Sequence, residues 1–343
     1  MNLLTPLLLP FSILYGAVAA ARNRLYDKGL RPSVSFDVAV IGVGNLSAGG
    51  TGKTPMIEYL IRLLGSEYKI ATLSRGYGRR SKGFRIAGDK DDALTLGDEP
   101  FQFYTKFQEK VVVAVGEERA MAIPLILDQY PDTNIILLDD AFQHRSVRPS
   151  FQVLLTDYHR LFVHDFLLPA GRLRESRSGA DRADCIIVSK CPPHISDDEM
   201  ISIESAIRKY TDKPVFFTGI SYRGILPVSG KSPYKPEKVI IVSGIANPKP
   251  LEDYITSNFA MVRHFAFRDH HIFSSDDVQK ICDTAAHSGS AVVTTEKDLA
   301  RLDPAPFEKA SVPLYYLPIE TEFIKSGKEF DAMVLNAVMS DAV

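Results

Sequence analysis

Asp37-Val-Ala-Val-Ile-Gly-Val-Gly44, Asn45-Leu-Ser-Ala-Gly-Gly-Thr-Gly-Lys-Thr54 and Pro55-Met-Ile-Glu-Tyr-Leu-Ile-Arg-Leu-Leu64 follow one another without a break. An apolar, β-branched run feeds a glycine-rich loop, and the loop opens a segment in which Met56, Ile57, Leu60, Ile61 and Leu64 recur at helical spacing. Strand, loop and helix in this order form a phosphate cradle. Small residues let backbone N–H groups point inward, and the helix N-terminus adds a partial positive charge. Ser47, Ala48, Gly49, Gly50, Thr51 and Gly52 are expected to line the cradle. Lys53 is expected to neutralise β- and γ-phosphate oxygens, and Thr54 to place its hydroxyl on Mg²⁺. Ser47 stands where the pattern G-x-x-x-x-G-K-[ST] has its first glycine, so Gly49 and Gly50 must supply the flexibility. Pro55 fits, because an N–H in the first helical turn has no partner to lose. A glycine-rich turn that binds nothing is the competing reading, and the flanking strand, the helix and the intact Gly-Lys-Thr weigh against it.

Downstream, strand-like and helix-like runs alternate, as a doubly wound α/β sheet requires. Asn134-Ile-Ile-Leu-Leu-Asp-Asp-Ala-Phe-Gln-His-Arg145 is an apolar strand ending in Asp139 and Asp140. Carboxylates at the carboxyl edge of a parallel sheet lie where open α/β folds bind ligands, and this is the place of the Mg²⁺ carboxylate in phosphate-loop proteins. Which aspartate is inner sphere stays open. Arg75-Gly-Tyr-Gly-Arg-Arg80 follows a strand over 69–74 and is open to two readings, a solvated turn or a loop that steers an anionic substrate. In Leu96-Gly-Asp-Glu-Pro100, Asp98 reads as a helix cap. Arg172 and Arg174 suit an anionic head group or a surface salt bridge.

Two strand-like runs, 215–219 and 221–228, precede the linker Ser229–Pro236, and a second α/β unit follows. The expected organisation is an N-terminal apolar segment over 1–30, a phosphate-loop domain over 31–218, a hinge over 219–236 and a smaller α/β domain over 237–343. Phe267-Arg-Asp-His-His-Ile-Phe273 offers one histidine as acid, base or orienting partner, since adjacent histidines point different ways and make a poor metal pair. Thr295-Glu-Lys-Asp298 departs from the guanine-reading Asn-Lys-x-Asp.

With 343 residues, 45% hydrophobic and 24% charged, the chain has the composition of a globular protein with a sizeable core, not of a disordered chain or a coiled coil. A net charge of -2 gives no nucleic-acid footprint. Three cysteines form neither a metal-ligand pattern nor an even disulfide set, which suits a reducing cytosol. Met1 to Ala20 is strongly apolar, uncharged, interrupted by Pro6 and Pro10, and followed by Arg22, Arg24, Lys28 and Arg31. A helix lying in the membrane interface accounts for both the length and the basic flank. A spanning helix, a buried core helix and a signal peptide are the alternatives.

Taken in order, Gly44-Asn-Leu-Ser-Ala-Gly-Gly-Thr-Gly-Lys-Thr-Pro55, Arg75-Gly-Tyr-Gly78, Gly97-Asp-Glu-Pro100, Asp139-Asp-Ala-Phe-Gln-His-Arg145, Pro169-Ala-Gly-Arg-Leu-Arg-Glu175, Asp269-His270 and Thr295-Glu-Lys-Asp298 resemble the tetraacyldisaccharide 4'-kinases, the lipid A 4'-kinases of Gram-negative bacteria. Ala141 stands where that motif often has glycine. The resemblance implies two P-loop-like doubly wound α/β lobes joined by a two-stranded hinge, with an N-terminal apolar membrane-associated helix. It implies transfer of the γ-phosphate of ATP, with Mg²⁺, to the 4'-hydroxyl of a lipid A disaccharide precursor at the cytoplasmic face of the inner membrane. The implied partners are that lipid and the membrane surface, with no nucleic acid and no obligate protein partner. By the same analogy Asp98 is the base, His270 its partner, and Lys53 the third catalytic residue. Metal contacts fall to Thr54, Asp139, Asp140 and Glu99, and substrate contacts to Asn45, Arg75, Tyr77, Gln143, His144, Arg172 and Arg174. Two other classes remain, a membrane-associated phosphate-loop ATPase that drives partner assembly and a non-catalytic nucleotide-regulated adaptor. Dependence on a lipid acceptor separates them from a kinase.

Overall fold

The computed structural model describes residues 5–229 and 235–341. Residues 1–4 of the apolar segment and 230–234 of the expected linker lie outside the described residues. In chain order the elements are α1 (Thr5–Asp27), β1 (Ala39–Asn45), α2 (Lys53–Leu64), β2 (Ile70–Ser74), β3 (Arg85–Ile86), α3 (Ala93–Leu96), α4 (Asp98–Phe107), β4 (Val111–Val115), α5 (Arg119–Gln129), β5 (Ile135–Asp139), β6 (Phe151–Asp157), β7 (Cys185–Ser189), α6 (Asp197–Ile207) and β8 (Val215–Tyr222). The chain continues with β9 (Leu226–Pro227), β10 (Lys238–Ser243), α7 (Lys249–Asn258), β11 (Ala260–Ala266), α8 (Ser275–Ser288), β12 (Ala291–Thr295), α9 (Glu296–Leu299), α10 (Ala305–Lys309), β13 (Leu314–Leu317), β14 (Ile319–Lys325) and α11 (Gly327–Asp341).

These elements form two compact units, one of residues 1–90, 103–221 and 320–343, the other of 91–102 and 222–319. The larger is built on a nine-stranded sheet in the order β14-β8-β7-β6-β1-β5-β2-β4-β3. β1 pairs in parallel with β5 on one side and β6 on the other, so the glycine-rich loop leaves the middle of the sheet where the chain reverses its progression. Every residue of β1 is buried, as expected of a parallel strand covered on both faces. Ile41 and Val43 pack with Met56, Ile57, Leu60, Ile61 and Leu64 of α2. Val38 and Val40 pack with Ile123 and Ile126 of α5. The helical spacing read in 56–64 is thus the buried face of α2.

The smaller unit has a five-stranded sheet, β11-β10-β12-β13-β9, in which the first four strands are parallel and β9 runs antiparallel to β13. One core packs Ile240, Val242, Val278, Ile281 and Phe307, the other Val239, Ile241, Leu251, Ile255 and Val293. Ser274 and Asp277 form a reciprocal capping box at the start of α8.

Three boundaries differ from the sequence reading. The runs 215–219 and 221–228 are one strand through Gly219 to Tyr222 followed by the two-residue β9, because a glycine inside a strand weakens it without ending it. The smaller unit stops at Ile319 and does not reach residue 343. The chain leaves the nine-stranded sheet at β8 and returns at its neighbour β14, and α11 then buries Phe330, Val334 and Val338 in the core of β1 and α2. Finally, α1 is a continuous helix through Pro10, with Pro6 in the first turn where its missing N–H costs nothing. Leu7, Phe11, Ile13, Leu14 and Val18 are 61–74% exposed, which overturns the alternative of a buried core helix. Among the described residues no helix is long and apolar enough to cross a membrane.

Candidate active site

In the larger unit the site is built on the loop between β1 and α2. Gly52 takes φ 80 at the N-cap of α2, a left-handed conformation that glycine adopts without steric cost. The loop is held from outside by the segment 172–174. Ala48 N–H donates to Arg172 O at 2.7 Å, Arg174 N–H donates to Leu46 O at 2.8 Å, and the buried Ser47 bridges Leu173. Ser189 Oγ donates to Thr51 O at 2.8 Å, and Lys190 Nζ donates to Gly50 O and pairs with Asp157 at 2.7 Å. The cradle is therefore fixed at Ala48, Gly50 and Thr51, and Gly49 takes φ 121, a conformation that suits glycine.

Four of the expected residues converge at the start of α2. Lys53 Nζ lies 3.5 Å from Asn45 Oδ1 and 3.6 Å from Asp140 Oδ1. The Arg174 guanidinium grips Asp140 with two parallel bonds, Nη2 to Oδ1 at 2.8 Å and Nη1 to Oδ2 at 3.0 Å, and also donates to the Asn45 side chain. Burial pushes the Asp140 carboxyl up, but the Arg174 hydrogen bond and the charges of Lys53 and Arg174 outweigh it and hold the group far below the usual carboxylate range. Asp140 has φ 48, so the chain turns sharply just past β5 and aims this carboxylate at the two cations. Asp139 ends β5, 8% exposed, and accepts from Ser74 Oγ at 3.5 Å.

Around this centre, Gln143 Nε2 donates to Asn45 O and Glu175 Oε1, both at 2.9 Å. Glu175, 3% exposed, also accepts from Asn23 Nδ2 of α1 at 2.7 Å and pairs with Arg182 at 2.8 Å. α1 is docked on the same loops by its polar side. Ser12 Oγ donates to Leu167 O, Tyr15 OH to Arg174 O, and Arg22 Nη2 to Gln143 O. His144 is half-buried. Burial, then the charge of Arg119, depress its imidazole to about 4. Arg172 is exposed, with its guanidinium near Gly49. Arg75 and Tyr77 are exposed on the loop after β2.

Thr54, Asp139 and Asp140 offer oxygen donors only, which suits a hard cation such as Mg²⁺. Thr51 Oγ1 is buried in the loop with no hydrogen-bond partner among the described residues. Among those residues no cluster of three or more His, Cys, Asp or Glu side chains is set to hold a metal alone. Mg²⁺ needs none, because it keeps waters and takes phosphate oxygens.

The smaller unit holds the second cluster. His270, at φ 58, turns its Nδ1 to Asp98 Oδ2 at 2.8 Å. Its Nε2 lies 3.3 Å from Lys297 Nζ and 3.9 Å from Asp269 Oδ1. Glu99, expected on a metal, pairs with the Lys297 ammonium at 3.3 Å. Asp98 is the first residue of α4, one past the cap position, and its side chain is engaged by His270 and by Arg301 at 3.5 Å.

The sequence reading missed Arg119, Lys190 and Arg301. Arg119 is 1% exposed and donates to Asp139 O at 3.4 Å, with burial lowering it to about 10. Lys190 follows a buried parallel strand, a position that could have been read as the sheet's ligand edge. Arg301 stands three residues after Asp298, a spacing visible in the sequence.

A family model described as tetraacyldisaccharide-1-P 4'-kinase matches residues 4–339. The chain belongs to this family. It is 46% identical to the tetraacyldisaccharide 4'-kinase of Flavobacterium johnsoniae over 98% of both chains. With the enzyme of the same name from Bacteroides thetaiotaomicron the identity is 41%, over 94% of this chain and 90% of that protein. A crystal structure of the "apo" form of LpxK from Aquifex aeolicus in complex with ATP superposes with a TM-score of 0.77 at 28% identity, covering 98% of this chain and all of that one. The kinase fold therefore extends over both units, and the two clusters lie in a chain that matches its relatives along nearly their whole length.

Proposed function

We propose that this kinase transfers the γ-phosphate of ATP to the 4'-hydroxyl of a tetraacylated disaccharide 1-phosphate, a lipid A precursor, at the cytoplasmic face of the bacterial inner membrane. The observation that carries the reading is the convergence of Lys53, Arg174, Asn45 and Asp140 at the N-terminus of α2. Two cations and a helix N-terminus at one point make a site for a polyphosphate, not for a neutral ligand. Lys53 and Arg174 are placed to stabilise charge on the transferring phosphoryl group. Mg²⁺, when bound through Thr54 and the strand-end carboxylates, would neutralise charge on the β- and γ-oxygens.

The acceptor is a weak nucleophile until its proton leaves. Asp98 takes that proton, and His270 Nδ1 orients the carboxylate. The acceptor oxygen bonds to the γ-phosphorus as the bond to the bridging oxygen breaks, ADP departs, and the proton remains on Asp98 until solvent removes it. The acyl chains of such an acceptor stay in a bilayer, and the exposed apolar face of α1 is the surface that seats the protein there. The test is transfer of labelled γ-phosphate to the lipid in mixed micelles. Label on the lipid, lost in Lys53→Ala and in Asp98→Ala, is expected. Phosphate released at the same rate with and without lipid would favour the ATPase reading instead.

A further inference from the structure

We propose that Arg301 is a positioning residue of this kinase, holding Asp98 by Oδ2 so that Oδ1 faces the acceptor hydroxyl. The proposal rests on the reading of Asp98 as the base. Arg301 lies just past α9 with its side chain 6% exposed. Its Nη2 donates to Gly244 O at 3.2 Å and pairs with Asp298, whose own side chain is fully buried. Asp298 is fixed in turn, since its Oδ2 accepts from Gly244 N–H at 3.0 Å and from Thr295 Oγ1 at 2.7 Å. The guanidinium is thus tied to the ends of β10 and β12. A Cβ at Gly244 would lie 3.1 Å from Asp298 Oδ1, so this strand end is shaped to let the pair approach.

Those contacts account for Nη2 and leave Nη1 unexplained. Nη1 is buried and makes no hydrogen bond among the described residues, and it sits 3.5 Å from Asp98 Oδ2. His270 Nδ1 reaches the same oxygen at 2.8 Å, and its backbone N–H donates at 3.1 Å to the Gly244 carbonyl that also receives Arg301. Both partners of Asp98 are therefore referenced to one carbonyl group. Both address Oδ2, and Oδ1 has no hydrogen-bond partner among the described residues. A carboxylate held by one oxygen presents the other in a fixed direction, which is what a base needs to meet a hydroxyl. Lys297 and Asp269 approach His270 Nε2, and Glu99 pairs with Lys297.

The test uses the full-length kinase and the lipid-phosphorylation assay in mixed micelles. Removing only the guanidinium strands the buried Asp298 charge, so Arg301→Gln is compared with Arg301→Gln/Asp298→Asn, which leaves a neutral pair of similar shape. Both are expected to lower kcat by roughly 10- to 100-fold with the KM for ATP unchanged, the size of a misplaced catalytic group. The double variant should melt near the parent temperature, and Arg301→Lys should recover part of the loss. On an Asp98→Ala background, Arg301→Gln should cost nothing further, because a positioning residue has no work once its carboxylate is gone. If Asp98→Ala is crippled and Arg301→Gln still lowers kcat by its full factor on top, the positioning role is wrong and the base survives. If Asp98→Ala turns over near the parent rate, the base reading falls and takes this proposal with it.

Discussion

At the scale of single residues, Lys53 and Asp140 show how far chemistry follows from residue type. Lys53 is engaged by Asn45 and Asp140 and by no apolar core, so Lys53→Ala should leave the melting temperature unchanged while transfer falls at least about 100-fold. Parallel melting and turnover measurements check this. Asp139→Asn and Asp140→Asn should each raise the Mg²⁺ concentration needed for half-maximal rate, the inner-sphere residue more. A magnesium titration in which neither variant shifts would remove the metal from this strand end. His144 contributes to the acid behaviour. Its imidazole titrates near 4 when folded and near 6.5 when unfolded, because burial and the Arg119 charge disfavour protonation. Between those values the unfolded chain binds more protons, so stability should fall as pH drops from about 6.5 to about 4. Melting curves across that window should flatten in His144→Gln. Gly-Lys-Thr and the paired aspartates were legible because each carries its chemistry in a short span. The residues around Asp98, taken alone, read as a helix cap, and only the family resemblance suggested a base. Arg119 was not legible, since an arginine in a helical run has the composition of a surface residue until tertiary contacts bury it.

At the scale of elements, α1 explains why an apolar stretch is hard to read. Leu7, Phe11, Leu14 and Val18 line an exposed face, yet the opposite face docks through Ser12, Tyr15, Arg22 and Asn23 and backbone groups, so hydropathy alone shows no second side. The docking predicts that Phe11→Glu and Val18→Glu weaken binding to anionic vesicles and raise the KM for a bilayer-presented lipid more than that for ATP. The melting temperature should hold, because those side chains touch solvent. Vesicle co-sedimentation equal to the parent's would dissociate α1 from the membrane. Most strands were legible from apolar runs punctuated by glycine and proline. The last stretch was not, because α11 spaces its buried residues by fours but nothing near them names their partner. That partner, α2, lies more than 250 residues earlier.

At the scale of the molecule, the chain passes between its two units after residues 90, 102, 221 and 319, so neither is one continuous segment. Phe330 illustrates the cost of that arrangement. Its ring is fully buried against Phe216 at 5.6 Å and Phe323 at 4.8 Å, beneath the phosphate-loop helix. Phe330→Ala should destabilise the larger unit by about 3–5 kcal/mol, read by chemical denaturation. A loss confined to the smaller unit would contradict the division into units. The same helix bears on biosynthesis. Translation delivers chain at roughly 5–20 residues per second, so Met56 and Leu60 wait about 15–60 seconds for the residues that cover them. For that interval the nascent nucleotide-binding half keeps one face of its core uncovered, and most of the smaller unit, 222–319, is translated before the covering residues are. A stop codon in the final stretch of the message would therefore disable the half that was begun first.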